Sequence, residues 1–170
     1  MNTLQDGGMT PFRYEKTSNF EGAFRVPAVV RWPGKIKPGS VSNEIVSHLD
    51  WVPTLVAAAG EPKLKAKLLK GYKANGVNYK IHLDGYNLLP YLTGQKEKSP
   101  REEFFYFSDD GDLLALRYDN WKITFMVQDA PGTFEVWQNP FRTLRLPYIN
   151  NLRTDPYERA GITSNDYGNW

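Results

Sequence analysis

The feature that most constrains the fold is a series of three β-rich segments in the second half of the chain. Residues 103–108 (EFFYFS), 113–118 (LLALRY) and 121–127 (WKITFMV) are rich in aromatic and β-branched side chains, which favour extended structure. Short connections of Asp, Gly and Asn separate them, and such connections join neighbouring strands in hairpins. The pattern predicts an antiparallel meander, with a further strand near residues 148–152.

The first half of the chain combines helix signals with one short strand signal. Residues 28–32 (AVVRW) are a mostly apolar run between two prolines, which predicts a strand buried on both faces, as in a parallel sheet. Residues 51–59 are predicted to form a helix that Asp50 caps and Gly60 ends. Because the strand needs parallel neighbours that a meander does not supply, we expect it to belong to the edge of a larger sheet.

The change of pattern near residue 100 predicts two parts. Residues 1–99 are expected to be part of an α/β domain, and residues 100–170 a small antiparallel-sheet subdomain. The segment 61–80 has six lysines and one acidic residue. It is predicted to be a solvated basic surface, and a docking patch for an anionic partner is the alternative.

Composition excludes several classes of protein and site. The 170 residues are 41% hydrophobic with a net charge of +2, which is too weak to indicate nucleic acid or an anionic membrane as a partner. No apolar run approaches the ~20 residues of a membrane span, and the first ten residues lack the regions of a signal peptide. The absence of cysteine excludes disulfides, thiolate metal sites and a cysteine nucleophile within this chain.

Several motifs follow one another in a defined order along most of the chain. They are Glu15-Lys16, FEGAFRVP (20–27), WPG (32–34), SHLDWVPT (47–54), HLDGYNLLPYLTG (82–94), the β-rich segments and LRTDPYERA (152–160). This series resembles the C-terminal half of a type I, formylglycine-dependent sulfatase of the bacterial arylsulfatase branch. The chain departs from the family pattern at Ala23, where a second glycine is usual, and at Glu15, where many members have glycine.

The resemblance implies an α/β, alkaline-phosphatase-like sulfatase fold, here only its C-terminal portion: an edge of the large sheet and a small antiparallel sheet with helices. It implies hydrolysis of sulfate esters by a formylglycine nucleophile, with calcium as the usual metal. The family motifs for the nucleophile and the metal ligands are not found in this chain. We therefore expect an arylsulfatase fragment that lacks the N-terminal half of the same enzyme and is inactive alone.

The resemblance also bears on partners and compartment. A small sulfate ester or a sulfated glycan is the expected substrate, and the family suggests the periplasm or the cell exterior, although no signal peptide is found here. Apolar sheet surface left exposed in a fragment is expected to cause self-association.

Lys16 is the residue expected to act in catalysis and substrate binding, because it matches the family lysine that contacts the sulfate group. Cleavage of an anionic ester develops negative charge on oxygen, and a fixed ammonium stabilises that charge more in the transition state than in the ground state. The alternative is a solvated loop lysine. His48 is a second candidate for substrate binding, with a surface or packed histidine as the favoured alternative. Glu21 and Arg25 are expected to form an ion pair that holds the lysine loop.

Two other functions remain open at this point. One is a sister phosphonate or phosphate monoester hydrolase, which shares the fold and much of the site. The other is a non-catalytic module that binds sulfated glycans through Lys16 and exposed aromatic residues. The acidic cluster at 109–112 lacks the length and the final glutamate of an EF-hand and is predicted to be a solvated hairpin turn.

Overall fold

The computed structural model describes residues 10–160, which fall into two compact units. One unit contains the residues up to Val29 and from Glu103 onward, and the other contains Val30–Glu102. The helices are α1 (Glu21–Phe24), α2 (Trp51–Ala58), α3 (Leu64–Lys70) and α4 (Leu89–Leu92), with short 3-10 helices at His48–Asp50 and Phe134–Trp137. The strands are β1 (Tyr72–Ala74), β2 (Val77–Tyr79), β3 (Glu103–Phe107), β4 (Leu113–Tyr118), β5 (Trp121–Val127) and β6 (Arg142–Asn151).

The predicted antiparallel meander is confirmed. The four strands pair in the order β3-β4-β5-β6, and every pairing is antiparallel. Tyr118 pairs with Trp121 across the two-residue turn between β4 and β5, where Asp119 has a φ of 49°. Aspartate tolerates this left-handed conformation better than most residues, which explains its place in the turn. The fourth strand is longer than predicted because it begins at Arg142.

The core of this unit lies between the sheet and the segment around α1. Tyr106, Leu114 and Ala115 are buried together. Phe24 at the end of α1 packs edge-to-face on the Tyr106 ring, with 4.7 Å between the ring centroids. Such edge-to-face pairs are a favourable arrangement of aromatic rings. Residues near the start of the chain are therefore packed against strands that come about 80 positions later (Tyr106 is 85 residues from Glu21, whose carboxylate it contacts).

The second unit is built around α2. The predicted helix at 51–59 is confirmed as Trp51–Ala58, and the short helices α3 and α4 follow it in this unit. Asn75 and Gly76, with φ of 48° and 82°, turn the chain between β1 and β2. No described helix in residues 10–160 is long and apolar enough to cross a membrane. The division of the chain near residue 100 into catalytic part and subdomain stays a prediction.

The predicted buried strand at 28–32 is wrong. The segment forms no helix or strand, and Val29 is 95% exposed. A strand depends on hydrogen bonds to neighbours, and none of the described strands pairs with this segment. Its apolar composition therefore did not decide its conformation.

The predicted cap of α2 by Asp50 is also wrong in its contacts. The Asp50 side chain makes no capping hydrogen bond to α2. It accepts from the backbone N–H groups of Ser47 and Tyr86, both at 2.8 Å. It also forms a fully buried ion pair with Arg101, whose Nη2 lies 2.7 Å from Asp50 Oδ1. Asp50 is therefore the centre that joins three segments of this unit.

We predict that Asp50→Asn destabilises the protein by about 3–5 kcal/mol, because it leaves the buried Arg101 guanidinium without its counter-charge. Urea unfolding would measure the free energy of unfolding. The matched control is Asp129→Asn, which breaks the exposed Asp129–Arg142 pair and should have a much smaller effect. Equal effects of the two variants would contradict the assignment of Asp50 as the organising contact.

Candidate functional site

Lys16 lies in a loop whose backbone is held in an uncommon conformation. Its side chain is exposed, and it makes no hydrogen bond or ion pair with any other residue between 10 and 160. Tyr14 has a φ of 58° and Thr17 a φ of 77°, so left-handed residues stand on both sides of the lysine. A β-branched residue such as threonine rarely adopts this conformation, and it persists only where surrounding contacts impose it.

Those contacts are visible on both sides of the loop. Ser18 Oγ donates to the Glu15 carbonyl at 2.9 Å, which closes the turn around Lys16. Asn19 Nδ2 donates to the Met126 carbonyl of β5 at 2.7 Å. The loop is therefore fastened to the sheet within three residues of the lysine, and an exposed cation is carried on a fixed backbone.

Gly22 allows the loop to approach α1. Its N–H donates to the Arg13 carbonyl at 2.9 Å. A Cβ at position 22 would lie 1.9 Å from the Tyr14 carbonyl oxygen and 2.5 Å from that of Arg13. Both are backbone atoms that cannot swing away. The glycine of the FEGAF motif is thus required by space, whereas Ala23 occupies the next position without such a clash.

A buried cluster of charges lies beneath the loop. The Lys122 ammonium is fully buried and lies 3.3 Å from Glu21 Oε1, 2.8 Å from Glu158 Oε1 and 2.7 Å from the Asn19 carbonyl, to which it donates. Glu21 also accepts from Tyr106 Oη at 2.5 Å and pairs with Arg117 at 3.0 Å. The cluster joins the Lys16 loop, α1, the sheet and the C-terminal turn.

The two carboxylates of this cluster have pKa values displaced in opposite directions. Burial raises the pKa of each, because a carboxylate loses solvation. For Glu21 the Lys122 charge, the Tyr106 hydrogen bond and the Arg117 charge outweigh burial, and its pKa lies below the usual value. For Glu158 burial prevails over Lys122, and its pKa lies above the usual value. Burial and the Glu21 charge raise the pKa of Tyr106 well above its usual value.

The expected pair of Glu21 with Arg25 is wrong. Glu21 pairs with Arg117 and Lys122, and the Arg25 guanidinium lies 4.3 Å from the centre of the Phe12 ring instead. Sequence reasoning missed Lys122 and Glu158. The available signal for Lys122 was a lysine inside the apolar segment WKITFMV. It lies two residues before Thr124, on the same face of β5, and both side chains are buried.

The second candidate, His48, is exposed and lies in the 3-10 helix before α2. It belongs to the Val30–Glu102 unit, whereas Lys16 belongs to the other unit. Among residues 10–160, no contact of the His48 side chain points to substrate binding. Its role therefore stays a prediction.

The described residues hold no metal site. Between residues 10 and 160, no group of three or more His, Asp or Glu side chains is arranged to hold a metal ion. Asp109, Asp110 and Asp112 are exposed in the turn between β3 and β4, where Gly111 has a φ of 89°. This matches the predicted hairpin turn.

A family model and two curated relatives all relate this chain to enzymes named as sulfatases or sulphohydrolases. The family model that matches residues 12–73 is described as N-sulphoglucosamine sulphohydrolase, C-terminal. Arylsulfatase A of Bos taurus is 35% identical in an alignment of 160 positions that covers 88% of this chain and 28% of that protein. The chain is related to the sulfatases. Steryl-sulfatase of Mus musculus is likewise 35% identical in an alignment of 167 positions that covers 89% of this chain and 24% of that protein.

A solved structure extends the relationship to the fold. The PsFucS1 sulfatase from Pseudoalteromonas sp. has a TM-score of 0.69 at 23% identity, over 94% of this chain and 30% of that one. The predicted fold class, the C-terminal portion of the alkaline-phosphatase-like sulfatase fold, is confirmed. The chain described here spans less than a third of the length of each of these three sulfatases.

We predict that Gly22→Ala lowers the free energy of unfolding by about 1–3 kcal/mol, because the added Cβ displaces the Tyr14 carbonyl and with it the Lys16 loop. The matched control is Ala23→Gly, which changes the adjacent position by the same methyl group. Urea unfolding of the two variants measures the difference. A loss no greater for Gly22→Ala than for Ala23→Gly would refute the close approach.

We further predict opposite pH dependences for two variants of the buried cluster. The stability from Glu21, whose folded pKa is lowered, is present above pH 4.5 and is lost as pH falls through the folded pKa. The contribution of Glu158, whose folded pKa is raised, is present below pH 4.5 and is lost as pH rises through the folded pKa. The stability difference, native minus variant, should therefore grow with pH for Glu21→Gln and shrink with pH for Glu158→Gln.

Urea unfolding in steps from well below pH 4.5, where the Glu21 contribution changes, up to neutral pH, where the Glu158 contribution has changed, measures both differences. Slopes of the same sign would show that the two carboxylates share one environment and would contradict this description.

Proposed function

We propose that this chain is part of a sulfatase that hydrolyses sulfate esters of the aryl type, and that Lys16 binds the sulfuryl oxygens of the substrate. The observation that carries the proposal is the exposed ammonium of Lys16 on a loop with left-handed residues on both sides. A lysine that has no partner among residues 10–160, in a loop whose backbone is strained, is best explained by an anionic ligand. The relationship to sulfatases supports the proposal that this anion is a sulfate group.

The proposed role of Lys16 is electrostatic. In hydrolysis of a sulfate ester, the bond between sulfur and the ester oxygen breaks and negative charge accumulates on the leaving oxygen and the sulfuryl oxygens. A lysine ammonium offers three donors and a compact charge. Because its backbone is already fixed, little reorganisation is needed when that charge develops.

The buried cluster is proposed to support this role without contacting the substrate. Lys122 donates to the Asn19 carbonyl, and Asn19 donates to the sheet, so that the loop is fixed from below. Glu21 and Glu158 compensate the Lys122 charge. These residues are positioning residues, and the sulfuryl oxygens of the ester are proposed to contact Lys16 and none of the cluster residues.

Narrower assignments stay predictions. Relatives named for aryl and steryl sulfates are 35% identical to this chain, so the aryl preference is part of the proposal. The bacterial branch, the calcium ion, the formylglycine nucleophile, the inactivity of the chain alone and its self-association are likewise predictions from the resemblance. A phosphonate or phosphate ester as substrate is an outcome that the experiment below distinguishes.

We predict that Lys16→Ala, made in the full-length enzyme, lowers kcat/KM for 4-methylumbelliferyl sulfate by about 100-fold or more, because one donor to the developing charge is lost. Lys16→Arg should recover part of the rate, since the charge is kept and its geometry is changed. The matched control is Lys35→Ala, an exposed loop lysine of the other unit, which should change the rate little.

The outcome that contradicts the proposal is a Lys16→Ala enzyme with native kcat/KM. If the unsubstituted enzyme hydrolyses 4-methylumbelliferyl phosphate and not the sulfate, the sister phosphatase activity is assigned instead.

A further inference from the structure

The most exposed aromatic rings of the described chain lie together on one loop. Phe134 is 76% exposed and Trp137 is 79% exposed, and both belong to the 3-10 helix that precedes β6. No ring contact of either residue is found with the other aromatic side chains between residues 10 and 160. Leaving two large apolar rings in water is unfavourable relative to burying them, and exposed apolar surface that forms a patch marks interaction sites.

This aromatic loop, residues 128–139, is held in one conformation from inside. The buried Gln128 side chain accepts from the Ala130 N–H at 3.0 Å and donates to the Asn139 carbonyl at 2.9 Å. It therefore ties the two ends of the loop together. Thr133 Oγ1 also donates to the Ala130 carbonyl at 3.0 Å. The rings are carried on a closed loop whose ends cannot separate freely, which lowers the entropy that binding has to overcome.

The aromatic loop is joined directly to the Lys16 loop. The Gly132 N–H donates to Thr17 Oγ1 at 3.1 Å, and Thr17 follows Lys16 in the chain. A Cβ at Gly132, whose φ is 74°, would lie 3.0 Å from Glu15 Oε1, so the two loops are in close contact on both sides of the lysine. Phe134 follows Gly132 by two residues, which is at most about 7 Å of chain.

We propose that Phe134 and Trp137 form a platform for the aromatic ring of the sulfate ester whose sulfuryl group Lys16 binds. This inference rests on the proposed function, which it deepens by assigning the leaving-group ring to named residues. A flat apolar ring attached to an anionic group matches, in one molecule, an exposed cation and exposed aromatic faces on two loops that are hydrogen-bonded to each other. Ring stacking there stabilises the bound aryl group in ground and transition states alike.

The test uses the full-length enzyme and two product-like inhibitors: 4-methylumbelliferone, which has the ring without sulfate, and inorganic sulfate, which has the anion without the ring. Trp137→Ala should raise the inhibition constant of 4-methylumbelliferone about tenfold, the upper end of one aromatic contact. It should leave the inhibition constant of inorganic sulfate within about twofold, because the anion does not reach the platform. Phe134→Ala should act in the same direction.

The matched control is Trp121→Ala. Trp121 is 51% exposed and begins β5, so it lies at the opposite end of that strand from the aromatic loop. Its substitution should change neither inhibition constant. Equal effects of the two tryptophan substitutions, or no effect of Trp137→Ala on 4-methylumbelliferone, would overturn the proposal. So would a loss of self-association in sedimentation with unchanged inhibition constants, because the rings would then contact a second copy of the chain.

Failure of the proposed function would be distinguishable. Lys16→Ala should raise the inhibition constant of inorganic sulfate and leave that of 4-methylumbelliferone unchanged, the reverse of Trp137→Ala. If Lys16→Ala has no effect on sulfate while Trp137→Ala weakens ring binding, the role of Lys16 fails and the platform stands as a ring-binding site.

Discussion

One buried ammonium group organises the unit that carries the candidate site. Lys122 lies on the inner side of β5 without access to water, and a charge in that position is costly unless it is paired and hydrogen-bonded. Glu21, Glu158 and the Asn19 carbonyl meet that requirement. They come from two segments, residues 19–21 and the turn at Glu158, which are far from each other and from β5 in the chain. Removing any of them would leave a buried charge unsatisfied, so the three segments are held in one arrangement.

The consequence for function is that the residues that hold the Lys16 loop in place differ from those that can contact a ligand. Glu21 and Glu158 are acidic residues near a candidate active site, but their carboxylates are already paired or hydrogen-bonded with Lys122, Arg117 and Tyr106. What reaches the surface is the Lys16 loop, and beside it the aromatic loop. Conformational strain at Thr17 is maintained because the contacts on both sides of it are tertiary, from β5 and from Gly132. A pre-formed site of this kind needs little rearrangement to meet an anion.

The accuracy of the sequence predictions follows the range of the interactions involved. The meander and the helix at 51–59 were predictable because alternation, turn residues and helix signals are local. The strand at 28–32 was not, since its hydrogen-bonding partners cannot be read from its own composition. The Glu21–Arg25 pair failed for the same reason: neighbours four positions apart were outcompeted by Arg117 and Lys122, which burial brings closer. Asp50 stands at the predicted helix boundary, yet its carboxylate accepts hydrogen bonds from Arg101 and from the Tyr86 N–H, and none from the N–H groups of α2.

The sequence by itself determined the order of motifs, the sulfatase relationship, the absence of cysteine chemistry and the position of Lys16 just ahead of the FEGAFRVP motif. These depend on residue identity and spacing along the chain. Only the tertiary structure decided which charges are buried together, that Gly22 is required by the backbone of residues 13 and 14, and that the loop carrying Phe134 and Trp137 is hydrogen-bonded to the Lys16 loop. The physical reason is that desolvation and close packing act between atoms that meet in space, and sequence separation carries no information about those meetings.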